Sequence, residues 1–228
     1  MLYGQTPRWI DRLERLLPGL GIPNLALFLV AIQGLGFLVV SANSRALDWL
    51  VLDPYLVLHG ELWRLVTFLA VPLTLSPWGM VFVLWFLYFI INGIEQEWGE
   101  FRTTLYVLTA VLLTIAFAFA FGIWVGDVRP LQSSLLFAAA TIAPEYQILL
   151  FLVIPFKLKW SAWIAAGVLV YEFMNTRWPF CLYGPVMCGN YLLFFGPYFA
   201  GRLKAWYRRK KFQHEVALGN RAEDEPHE

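Results

Sequence analysis

One short, uncharged segment between two prolines constrains this sequence more than any other feature. Residues 131–143 lie between Pro130 and Pro144 and are rich in alanine and serine. As a helix they would be about 20 Å long, at ~1.5 Å per residue, whereas a bilayer core is about 30 Å thick. Small residues let other helices approach closely. The segment therefore predicts a short central helix surrounded by longer membrane helices, with Ser133 and Ser134 at the rim of a polar hollow.

The distribution of charge indicates the other membrane segments. Hydrophobic residues make up 59% of the 228 residues, too large a share for a soluble domain of this size. Long stretches without any charged residue exceed the ~20 residues that a spanning helix needs. The predicted fold class is an all-α integral membrane protein. Its predicted helices are 24–42, 78–94, 103–123, 131–143, 160–174 and 180–201.

Lysine and arginine are distributed unevenly over the two sides of this arrangement. The N-terminus, the 95–102 turn, the 144–159 connection and the C-terminal tail share one side and carry most of the 17 basic residues. Cytoplasmic loops are enriched in lysine and arginine, so both termini are predicted to be cytoplasmic. An even number of spans requires the same arrangement.

The chain divides into three predicted parts. Residues 1–23 contain an amphipathic helix, with its apolar residues on one face, which suits the cytoplasmic membrane interface. Residues 24–202 form the membrane domain. Residues 203–228 are a cytoplasmic tail that is first basic and then acidic. The basic block is expected on anionic lipid, and the tail is the predicted contact for any cytoplasmic partner.

Two connections are too apolar to be ordinary loops. Prolines interrupt the segment 43–77 so often that it cannot be one helix, and non-helical backbone at membrane depth has to pack on protein. In the second connection, apolar and basic residues alternate from Phe156 to Trp160. This alternation predicts an extended, interfacial segment before the fifth helix.

Several motifs resemble those of rhomboid-like proteins. The sequence GELWRLVTFLAVP at 60–72 is similar to the Trp-Arg motif that opens their second span, with Trp63 and Arg64 in the motif positions. The sequence NGIEQEWGEFRTTLYVLTAV at 92–111 resembles their next turn, with Glu95 and Gly99 in a Glu-x-x-x-Gly pattern. The resemblance covers roughly residues 25–202. It implies a six-transmembrane-helix rhomboid-like bundle whose fourth helix is short.

These motif residues also have a structural explanation that does not depend on the family. Trp63 and Arg64 fit an interfacial ring beside a cation that extends toward the headgroups. Glu95 ends an uncharged run, where a helix C-terminus disfavours a carboxylate, so a compensating donor is expected near Gly99. We therefore predict structural roles for all four residues.

The chemistry of an active rhomboid is incomplete in this chain. Active members of the family that this chain resembles use a serine nucleophile in a Gly-x-Ser-Gly turn on helix four and a histidine base on helix six. Ser133 occupies the nucleophile position without the glycines, and Leu193 and Phe194 stand where the histidine is expected. A neutral serine needs an adjacent general base. The sequence therefore predicts a pseudoenzyme with no catalytic residue.

The resemblance to rhomboid pseudoproteases and, more distantly, to derlins implies that the protein binds membrane-embedded clients. The implied role is in membrane-protein quality control or trafficking. The expected partners are membrane lipids and transmembrane segments of other proteins, with no nucleic acid, cofactor or metal. The candidate client-binding residues are Ser133, Ser134, Asn190, Leu193 and Phe194.

Two other functions stay open at this point. The first is an active intramembrane serine protease that uses Ser133 with an atypical base. The second is a membrane protein that binds lipid or a small solute in the hollow. A transporter is less consistent with the sequence, because inverted repeats and paired broken helices are not evident in it.

Overall fold

The structure, a computed structural model, describes residues 8–17, 19–144, 147–150 and 154–223. Helices dominate these residues, and one antiparallel β-hairpin is formed by β1 (Gln147–Leu150) and β2 (Ile154–Lys157). The helices are α1 (Arg8–Leu16), α2 (Leu25–Ala42), α3 (Leu47–Leu50), α4 (Pro54–Leu58), α5 (Arg64–Thr67), α6 (Pro77–Trp98), α7 (Glu100–Phe121), α8 (Arg129–Ile142), α9 (Leu158–Asn175) and α10 (Tyr183–Glu223).

Three of these helices, α2, α6 and α7, are long and apolar enough to cross a membrane. They coincide with the first three predicted spans. The prediction of a helical protein with apolar helices of membrane-spanning length is therefore confirmed for these three. The other three predicted helices form as α8, α9 and α10. The main difference in length is at the end of α10, which continues to Glu223 as one helix.

The hairpin is a short departure from the otherwise helical structure of the described residues. Strand β2 ends at Lys157, so the extended conformation predicted from Phe156 to Trp160 holds only for its first two residues. Residues 158–160 already belong to α9. Leu158, the first residue of α9, is 3% exposed and packs in the hydrophobic core.

Helix α8 lies at the centre of the helices and is the shortest of the six. It packs on α6, α7, α9 and α10. With 14 residues it is about 21 Å long, whereas the 22 residues of α7 extend about 33 Å. The run of alanines at 138–140 is buried, which allows the close helix contacts expected of small residues. The short helix predicted at 131–143 is therefore present and enclosed.

The segment between α2 and α6 packs on protein, as predicted for a connection too apolar to be an ordinary loop. The side-chain amide of Gln33 on α2 donates to the carbonyl oxygens of Leu69 and Val71, at 2.6 and 3.3 Å. A Cβ atom on Gly36 would lie 1.7 Å from the carbonyl oxygen of Ala70, so only glycine fits at that contact. This part of the chain is thus fastened to α2.

Helix α1 packs on the other helices. Ile10 is fully buried, and the ring of Trp9 meets that of Phe194 edge-on, with centroids 5.3 Å apart. Arg102 of α7 donates to the carboxylates of Asp11 and Glu14, at 3.1 and 3.4 Å. The apolar face predicted for the membrane interface therefore contacts α10 through Trp9, whereas the acidic residues Asp11 and Glu14 bond α7.

Candidate functional site

The two serines of α8 lie in different environments. Ser134 is 1% exposed, and its hydroxyl and the Tyr106 hydroxyl are hydrogen-bonded to each other. The Tyr106 hydroxyl also donates to the backbone carbonyl of Ser134 at 2.9 Å. Ser133 is partly exposed. Of the predicted pair at the rim of a hollow, only Ser133 has an accessible side chain.

The predicted positions on α10 are separated in the same way. Asn190 is fully buried, and its amide group donates to the backbone carbonyl of Tyr106 at 3.4 Å. Phe194 is buried beside the rings of Tyr106 and Trp98. Leu193 is 49% exposed and lies on the outside of the helices. The five candidate client-binding residues therefore do not line one common surface.

Tyr106 is the residue that joins most of these positions, and sequence analysis missed it. Its side chain contacts Ser134 and Phe194, and its backbone contacts Asn190. A buried tyrosine hydroxyl needs a partner. A tyrosine in an apolar helix, together with a serine on the helix expected to pack on it, was the available signal. The contacts hold α7, α8 and α10 together.

No histidine is found beside Ser133 among the side chains that the structure describes, which include one histidine, His59. His59 follows α4, is exposed, and its Nδ1 atom is 2.7 Å from the carbonyl oxygen of Tyr55. The side chain of His214 and all of His227 lie outside the described part. In that same part, no three metal-ligating side chains come together.

Arg64 holds the segment between α2 and α6 in place. Its side chain is 6% exposed and pairs with Glu61 at 2.6 Å. It also donates to the backbone carbonyls of Asp48 and Val51, at 2.5 and 2.9 Å. A planar guanidinium can make several such bonds at once. Trp63, next to it, is 46% exposed. Arg64 is thus a buried crosslink, whereas Trp63 lies at the surface.

The Glu95–Gly99 turn joins α6 to α7. The amide of Gly99 donates to the backbone carbonyl of Glu95 at 2.9 Å. Gly99 has φ +88°, a conformation that favours glycine, and it immediately precedes α7. Its carbonyl oxygen accepts the backbone amide and the hydroxyl of Thr103. This amide bonds the backbone carbonyl of Glu95, not the side-chain carboxylate for which a donor is expected from the sequence.

A groove of about 800 Å³ runs between α9 and α10, with α8 at its base. Most of its lining is apolar. The hydroxyls of Thr141 and Tyr191 lie in it and are hydrogen-bonded to each other. Lys159 and Arg202 line one end. We call this the α9–α10 groove. None of the candidate client-binding residues is among the described residues that line it.

A smaller cleft of about 60 Å³ lies on the other side of α8, between α6 and the start of α9. We call it the α6–α8 cleft. Its lining includes the small residues Gly93, Ala139 and Ala143. A Cβ atom on Gly93 would meet no other atom within 4 Å.

No family model, no curated protein and no solved structure matches this chain.

Proposed function

We propose that this chain is a six-spanning membrane protein of rhomboid-like architecture that binds transmembrane segments of other proteins without cleaving them. Helices α8, α9 and α10 complete the bundle that α2, α6 and α7 begin, and both termini are cytoplasmic. Helix α8 is too short to cross a bilayer core by itself, but it is enclosed by helices that are longer. The uneven distribution of lysine and arginine supports the orientation.

The observation that carries this proposal is the sparse burial of α9. Among the 18 residues of this helix, Leu158 and Leu169 are the buried ones. The helix packs mainly on α8 and has few contacts with α10. The α9–α10 groove lies along one of its sides and the α6–α8 cleft near the start of the other. A helix held on one side leaves room for a further helix beside it.

The α6–α8 cleft, which Leu158 at the start of α9 also lines, is the place that best suits another helix. Its small residues Gly93, Ala139 and Ala143 allow two helix backbones to approach closely, and such residues are enriched where membrane helices associate. Ile164 and Val168 are exposed and lie one turn apart on α9, on a different side from the groove residues Ala166 and Val170. A client helix is placed along this side.

The lack of proteolysis rests on what surrounds Ser133. The position before it is Gln132 and the next is Ser134, whose hydroxyl is already bonded to Tyr106. His59 bonds a carbonyl oxygen on α4. General acid–base help contributes typically 10²–10⁴-fold to such reactions, so a serine without it is a poor catalyst.

Photocrosslinking in native membranes tests client binding. A photoreactive amino acid is placed at Ile164 on α9, which is 62% exposed, and at Leu38 on α2, which is 63% exposed and serves as the matched control. We expect protein adducts at Ile164 and few at Leu38. Equal adducts at both positions, or lipid adducts alone, contradict the proposal. Gly93→Leu fills the cleft and should abolish the Ile164 adducts, whereas Gly196→Leu, on α10, should retain them.

Cysteine labelling tests the orientation. In a background without Cys181 and Cys188, single cysteines replace Ser44 and Glu223. An impermeant reagent outside the cell should label the first and not the second. Reversed labelling contradicts the proposed topology while leaving the client test interpretable.

A further inference from the structure

The α9–α10 groove combines an apolar channel with a cationic end. Phe137 and Ala140 of α8, Ala166 and Val170 of α9, and Leu192 of α10 are among its lining residues. Of its lining hydroxyls, those of Thr141 and Tyr191 are hydrogen-bonded to each other, and that of Tyr198 accepts a hydrogen bond from Arg202 at the groove end, so each of the three already has a partner. The ligand that fits this channel is therefore apolar along most of its length.

The cationic end is formed by the first turn of α9 and a late turn of α10. Lys159 is half-buried in the lining, and Arg202, which is exposed, lines the same groove. The guanidinium of Arg202 lies 5.7 Å from the centre of the Tyr198 ring and donates to the Tyr198 hydroxyl at 3.1 Å. These contacts orient Arg202 at the groove. Lysine and arginine together suit a phosphate group.

The length of the groove indicates whether a lipid or a transmembrane helix fits in it. The lining runs along α9 from Lys159 to Phe173, where 14 steps of helix span about 21 Å, and along α10 from Gly184 to Arg202, where 18 steps span about 27 Å. One leaflet is about 15 Å deep and a whole bilayer core about 30 Å. The groove is long enough for an acyl chain of one leaflet but shorter than a spanning helix.

We propose that the α9–α10 groove binds an anionic phospholipid, whose phosphate lies at Lys159 and Arg202 and whose acyl chain extends along α9 toward Phe173. This site is distinct from the cleft proposed for client helices, so it does not depend on client binding. The charge of the groove end is complementary to acidic headgroups, which enrich the cytoplasmic leaflet.

Native mass spectrometry of the full-length protein tests this lipid site. The protein is stripped of lipid in detergent and titrated with phosphatidylglycerol or phosphatidylcholine carrying identical acyl chains. We expect phosphatidylglycerol to bind more tightly by about tenfold or more, because each basic residue near a headgroup contributes to binding. Equal affinity for the two lipids overturns the proposal.

Two sets of variants locate the lipid. Lys159→Gln with Arg202→Gln should remove the preference for phosphatidylglycerol. Lys204→Gln with Arg208→Gln, at exposed α10 positions outside the groove lining, should leave the preference unchanged. A preference that survives the first pair, or is lost in the second, overturns the assignment.

A third variant tests the apolar channel independently of charge. Ala166→Trp inserts a ring into the channel and should weaken the binding of both lipids alike. Its folding is checked by circular dichroism. Should it misfold, the paired variant Lys159→Gln with Arg202→Gln still decides the question. A photoreactive residue at Val170, which lines the groove, should yield lipid adducts. Protein adducts at that position in place of lipid overturn the proposal.

Discussion

The side-chain amide of Gln33 on α2 donates a 2.6 Å hydrogen bond to the carbonyl oxygen of Leu69, in the 3₁₀ turn Phe68–Ala70 that follows α5. The same amide lies 3.3 Å from the carbonyl oxygen of Val71. Gly36, about one turn further along α2, lets the backbone of Ala70 approach. Two backbone carbonyl oxygens of this part of the chain are thus satisfied by a side chain of a neighbouring helix.

The first prediction concerns Gly36. Gly36→Ala places a Cβ atom 1.7 Å from the carbonyl oxygen of Ala70, so α2 and this turn must separate. Overpacking of this kind costs about 1–3 kcal/mol, or more where backbone atoms clash. Gly34→Ala is the matched control, because its Cβ meets only Leu84 Cδ1 at 3.7 Å. Thermal unfolding in detergent should show a lower Tm for Gly36→Ala alone, and equal Tm values for both variants would contradict this packing.

The second prediction concerns Arg64. Arg64→Ala removes the partner of Glu61 and the donor to two carbonyl oxygens, at a cost of about 3 kcal/mol in the free energy of unfolding. Arg64→Lys keeps the charge without the guanidinium fork, so its free energy of unfolding should lie between those of the unchanged protein and Arg64→Ala. Arg45→Ala, at an exposed position, is the control. An Arg64→Ala protein that folds normally but loses a measurable turnover would show that Arg64 acts in chemistry.

The positions of the helices could be predicted because charge and proline mark their ends. Charged residues delimit α2, α6 and α7, and prolines bracket α8, so uncharged runs were sufficient to place them. The continuation of α10 to Glu223 could not be predicted, because a change to polar composition ends a membrane span without ending a helix. The hairpin depends on pairing between two segments, which the alternation around Phe156 does not reveal by itself.

The contacts of the candidate site were less predictable. Ser133 and Ser134 are neighbours in sequence, yet a helix turns by 100° per residue, so one is buried against Tyr106 and the other is not. Which serine is buried depends on how α8 is rotated against α7. The α9–α10 groove and the α6–α8 cleft are gaps between helices. A sequence pattern indicates which helix faces are apolar, but it does not indicate which of them another helix covers.

The third prediction concerns the docking of α1. Arg102 is buried and bonds both acidic residues Asp11 and Glu14, so Arg102→Gln should loosen α1. A cysteine introduced at Ile10, fully buried in the structure, should then react with a thiol reagent about tenfold faster, as expected for the loss of ~1.4 kcal/mol. Arg12→Gln, at an exposed α1 position, should leave the rate unchanged. Equal rates in both variants would show that packing of Trp9 and Ile10 alone holds the helix.

The last prediction separates the two serines and tests the absence of catalysis. Ser134→Ala removes the hydroxyl bonded to Tyr106 and should lower the free energy of unfolding by about 1 kcal/mol, whereas Ser133→Ala should change it little. Because no histidine lies beside Ser133 among the described side chains, we also expect that Ser133 does not react with a serine-directed fluorophosphonate. Members of a catalytic unit fail together, so a missing histidine leaves Ser133 little residual activity.

The measurement is probe labelling of the purified protein in bilayers, followed by peptide mass spectrometry, together with incubation against transmembrane substrates. With the unchanged protein, we expect no adduct on Ser133 and no cleavage of the transmembrane substrates. Ser133→Ala should leave client crosslinking at Ile164 unchanged within a few-fold. The Ser133→Ala protein is the control for labelling elsewhere. A fluorophosphonate adduct and substrate cleavage that both disappear in Ser133→Ala would identify an active protease, because only an activated serine hydroxyl forms such an adduct and turns over a peptide bond.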